Sequence, residues 1–75
     1  MNGNDKMVKY SAMVEEMLLN VIEQCNIVLN DLKRNGETHA DYMYEKLNKA
    51  KWDLDIVYTM AEVKHNGGKS EGKGR

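Results

Sequence analysis

Apolar residues recur along the first half of the chain with the alternating four-three spacing of a coiled-coil seam. Met7, Val14, Val21 and Val28 form one row, and Ser11, Leu18, Cys25 and Leu32 form the complementary one. Ile22 and Leu29 widen the stripe on one side, Met17 on the other. The rhythm resumes further on, with Ala40, Leu47, Leu54 and Ala61 as one row and Met43, Ala50 and Val57 as the other. Apolar positions at this period predict two amphipathic helices facing each other, with small alanines letting the backbones approach.

End signals set the expected boundaries. The first helix is predicted from about Asp5 to Arg34, with Asn4 or Asp5 as N-cap and Ser11 as a later alternative start. Lys33 and Arg34 meet the negative end of its dipole, and Asn35-Gly36 terminates it. The turn covers residues 35–38. Thr38 is the expected N-cap of a second helix over residues 39–65, with Asp41 as the acidic half of a capping box. Residues 66–75 are glycine-rich and polar and read as a disordered tail. So short a link forces the helices back on each other. The expected fold is all-α: an antiparallel two-helix hairpin, coiled-coil-like, that completes a four-helix bundle by dimerisation.

A second apolar line runs off the seam. Trp52, Ile56 and Val63 lie on the far side of the second helix, with Tyr42 upstream and Met60 flanking. On the first helix Met13 and Ile27 also lie off the seam, and Asn20 and Gln24 interrupt that face. A lone hairpin leaves Trp52 in water. Two coverings are open: a second copy of the hairpin, or another protein that takes Trp52 as anchor.

Composition sharpens the need for a partner. The chain has 75 residues, no proline and one cysteine, which excludes an internal disulfide. A domain this small buries only about 60% of the surface its unfolded chain exposes. Small scaffolds make up the shortfall with disulfides, metals or company, and here company is expected. With 11 basic and 12 acidic residues the chain has no steering field toward nucleic acid. No apolar run reaches the roughly 20 residues that span a bilayer. The first residues lack the apolar core of a signal peptide, so a cytoplasmic location is expected.

Three patterns touch on chemistry. Arg34-Asn35 and His39 reproduce the R-x4-H motif over six residues, and in this the chain resembles HEPN ribonucleases. That resemblance implies arginine and histidine acting on RNA phosphate across a dimer. Gly36 falls inside the motif, however, and the corner reading already gives each of its residues a task. Glu62 and His65 have the i,i+3 spacing of di-iron carboxylate bundles, with Glu15 and Glu16 at the facing end of the first helix. They lie off the seam and against the terminating glycines. Cys25 has no His or Lys a turn away to activate it, so it is expected to pack as a small apolar side chain.

The function these features favour is a small non-enzymatic protein–protein interaction module: a regulator, adaptor or inhibitor acting through an apolar helix face. Trp52, Ile56, Val63, Tyr42 and Met60 are its expected partner-binding residues. No cofactor or metal is expected. The partners would be a second copy of the chain and another protein, with neither nucleic acid nor membrane. Such small chains are frequent among phage-encoded and mobile-element modulators of host proteins, which makes a viral protein part of the expectation. The other readings are a HEPN-like ribonuclease dimer, a di-metal site in a dimeric bundle, and a pure oligomerisation unit.

Overall fold

A computed structural model of the chain describes residues 6–67; of the tail expected over residues 66–75, positions 68–75 lie outside them, as do the cap candidates Asn4 and Asp5. Helix α1 spans Ala12–Asn35 and helix α2 spans Ala40–His65. At 1.5 Å per residue they are rods of about 36 and 39 Å. They fold back on each other as an antiparallel hairpin, and no strand occurs among the described residues.

Helix α1 begins later than Asp5. Ser11 is its N-cap, with extended backbone and a side-chain oxygen that accepts from the Val14 N–H at 3.2 Å. Met7 to Tyr10 are not helical, so Met7 leaves the predicted seam. The segment runs instead beside the end of α2, sharing a cleft with Met60 and Lys64. Tyr10 donates its phenol proton to Glu15 Oε1 across the start of the helix. That bond is lost on ionisation, so it holds the phenol pKa above its ordinary value, with a smaller contribution from desolvation.

The corner differs in one respect from its sequence reading. Gly36 takes the left-handed conformation (φ 79°), and its N–H closes α1 on Leu32 O at 2.7 Å. The α2 N-cap is His39, whose Nδ1 accepts from the Asp41 N–H at 3.1 Å. Thr38, the predicted cap, donates instead to Asp31 Oδ2. Asp31 also accepts from the Asn35 side chain at 2.8 Å. One carboxylate therefore ties the last turn of α1 to the link that follows. A hydroxyl with a carboxylate in reach makes a stronger, charge-assisted bond there than a cap would.

The helix-to-helix contact is rotated from the predicted seam. Val14, Val21 and Val28 face α2, as do Met43, Ala50 and Val57 on the other side, all buried or half-buried. The complementary rows shift by one position. On α1 the contact uses Met17, Gln24 and Asp31; Leu18 and Cys25 point to solvent and Leu32 is half-buried. On α2 it uses Lys46, Asp53 and Met60; Ala40, Leu54 and Ala61 are exposed. Asn20 and Gln24, expected to interrupt the outer face, lie between the helices. Asn20 Nδ2 donates to Asp53 Oδ2 at 2.9 Å, and Gln24 Nε2 donates to Asn20 Oδ1 at 3.1 Å. The physical reason is width. A stripe that includes Leu18, Ile22, Cys25 and Leu29 is broader than one neighbouring helix can cover. The single partner takes one edge of it and the polar residues beyond that edge.

Among the described residues the buried apolar side chains are Val28 and Ala50. Gly36→Ala should lower stability by about 1–2 kcal/mol, the cost of a left-handed non-glycine residue. Nothing lies within 4 Å of an added Cβ, so strain alone would act. Asn20→Ala should cost about 1–3 kcal/mol, since it unpairs both Asp53 and Gln24. Urea titration followed by circular dichroism measures both.

Candidate interaction surfaces

Trp52, Ile56 and Met60 recur at four-residue steps on α2, one above another. With Asp55 and Thr59 they line a shallow groove of about 380 Å³. Trp52 is 65% exposed. Ile56 is exposed and Met60 is half-buried at the edge of the hairpin contact. Of the five residues singled out in the sequence, these three share the groove. Val63 is exposed a turn further on, and Tyr42 lies upstream with its ring under the Lys46 ammonium, 5.4 Å from centroid to Nζ. The cation over its face gives Tyr42 a neighbour of its own, apart from the groove.

A second apolar surface was hidden in the seam itself. Leu18, Ile22, Cys25 and Leu29 run along α1 at helical spacing, and all four are exposed. Ile22 is 54% exposed and Leu29 50%. On α2 exposed Leu54, Tyr58 and Ala61 form the matching line, with Leu47 half-buried at its inner edge. Helical geometry puts both lines on one side of the hairpin. Each lies about 100° from its own contact face toward the next residue in the turn, and antiparallel helices wind in opposite senses when viewed from one end. The Trp52 groove lies on the opposite side. The hairpin therefore carries two apolar faces, back to back. The four-three rows held the signal for the second one, because each predicted seam points between the hairpin contact and this face.

The chemistry-bearing patterns are scattered. Arg34 is exposed in the last turn of α1, and His39 serves as the α2 cap with Nδ1 committed to a backbone N–H. Glu62 and His65 are both exposed at the end of α2. Among the described residues no three His, Cys, Asp or Glu side chains gather as a metal site. Cys25 is exposed, not packed in a seam. No described helix is long and apolar enough to cross a membrane.

The exposed indole makes a direct prediction. Trp52 should emit as a solvated indole and be fully open to acrylamide when the protein is alone. A blue-shifted, protected emission would place it under a covering chain. Tyr10 supplies a second check. Its phenol should ionise above the ordinary tyrosine range by absorbance titration, and Glu15→Gln should bring it down.

Compared with family models, curated proteins and solved structures, the chain matches none of them.

Proposed function

We propose that this chain is a small non-enzymatic protein-interaction module, working in the cytoplasm as a regulator, adaptor or inhibitor. Its partner docks an apolar segment on the α2 groove, with Trp52 as anchor. One observation carries this reading: a tryptophan 65% exposed beside Ile56 and Met60 on one helix face. Tryptophan supplies large contact area at low entropic cost and is enriched at binding hot spots. The groove is open and runs along the helix, which suits the ridge of an amphipathic helix better than a small molecule.

Capture from the native host with tagged protein, followed by mass spectrometry, identifies the partner. Trp52→Ala should then weaken binding by about 2 kcal/mol or more, roughly thirtyfold. Helicity should persist, because the indole makes little of the hairpin contact. Unchanged affinity in that variant would remove the groove from the interface.

A further inference from the structure

The face opposite Trp52 has a symmetry that names its occupant. On α1, Leu18 and Leu29 are equidistant from the point midway between Ile22 and Cys25. On α2, Leu47 and Leu54 are equidistant from the point between Ala50 and Lys51, and so are Ala40 and Ala61. The two midpoints stand at the same level of the hairpin. The Asn20–Asp53 hydrogen bond aligns the helices. Equal steps from Asn20 and Asp53 toward the corner reach both points to within about one residue, or 1.5 Å of rise.

We propose that a second copy of this chain covers this face through a two-fold axis perpendicular to the helices, passing between these midpoints. Helix α1 then packs antiparallel on α1 of the copy, and α2 on its α2, as a four-helix bundle. Leu18 meets Leu29 of the copy, Ile22 meets Cys25, Leu47 meets Leu54, and Ala40 meets Ala61. Such an isologous contact requires a surface complementary to itself, which both rows supply. Charge agrees at the α1 rim. Glu15 and Lys33 occupy the same flank of α1, nearly equidistant from its midpoint, so each lands beside the other's counterpart. At the α2 rim the two Lys51 side chains come near the axis, and each has its own Asp55 at 3.9 Å. The alternative axis, parallel to the helices, would lay α2 of the copy over α1 and bring Lys51 onto Ile22. The rotated seam has the same cause. In a four-helix bundle each helix points its apolar stripe between two neighbours, and here one of the two is the copy. This contact leaves the Trp52 groove outward, so it stands or falls independently of what that groove binds.

Sedimentation equilibrium at micromolar concentration tests it. Wild type and Trp52→Glu should sediment at twice the chain mass, Ile22→Glu at the chain mass. A wild-type monomer overturns the proposal, and so does an Ile22→Glu dimer. If Ile22→Glu loses its helix, cross-linking of the natural thiol decides. The two Cys25 residues would lie about 4.5 Å apart along the helix direction, so a short bismaleimide should join two chains. Leu29→Cys in a Cys25→Ala background should not cross-link, its two copies being about 16 Å apart along the helix direction. Absence of the Cys25 product, or equal yield at both positions, overturns the perpendicular axis.

Discussion

Two rods laid side by side touch along a line, and a line shields little surface. Everything in this molecule follows from that geometry. Each helix carries an apolar stripe wider than its single neighbour, and among the described residues Val28 and Ala50 are the apolar side chains that end up buried. Leucines and an isoleucine that would form the core of a larger bundle stay in water. The folded chain is thus less a finished globule than half of a packing problem. Its exposed faces are the unsolved half, and their positions follow directly from which edge of each stripe the hairpin uses.

Polar residues decide that edge. Asn20, Gln24 and Asp53 lie between the helices and form a chain of side-chain hydrogen bonds. Buried polar groups carry a desolvation cost, and Gln24 Oε1 is enclosed with no hydrogen-bond partner. What such groups supply in exchange is registry. An apolar seam can slide by a turn with modest loss, whereas an amide aimed at a carboxylate cannot. The corner repeats the device, with Asp31 holding Asn35 and Thr38. Two carboxylates, Asp53 midway along the contact and Asp31 at the corner, fix how the rods align.

The hairpin and its corner were legible in the sequence, because glycine after a basic last turn and a restored apolar rhythm admit little else. The rows through Val14, Val21, Val28, Ala50 and Val57 were legible for the same reason. The rows through Leu18, Cys25 and Leu54 were misread for a physical reason. Periodicity reports the direction of a helix's apolar side, not how many neighbours share it. A seam aimed at one partner and a seam aimed between two give the same four-three spacing. The helix start was also ambiguous, since Asn4, Asp5 and Ser11 are all competent caps and only the packing of Met7 to Tyr10 beside α2 separates them. On the candidate site, the exposed tryptophan was visible from spacing alone. Its isolation from Tyr42 was not, because a lysine one turn away can claim a ring without leaving a periodic trace.

The corner has a chemical consequence. Asparagine followed by glycine is the dipeptide most open to deamidation, in which the glycine nitrogen attacks the asparagine side-chain carbonyl and expels ammonia. Here that nitrogen is engaged with the Leu32 carbonyl, and the side-chain amide is held by Asp31. Cyclisation at Asn35 requires both bonds to open. The knuckle of the hairpin therefore works as a slow clock of its own breathing: intact chains age little there, and each isoaspartate that accumulates at Asn35 counts time the corner has spent open.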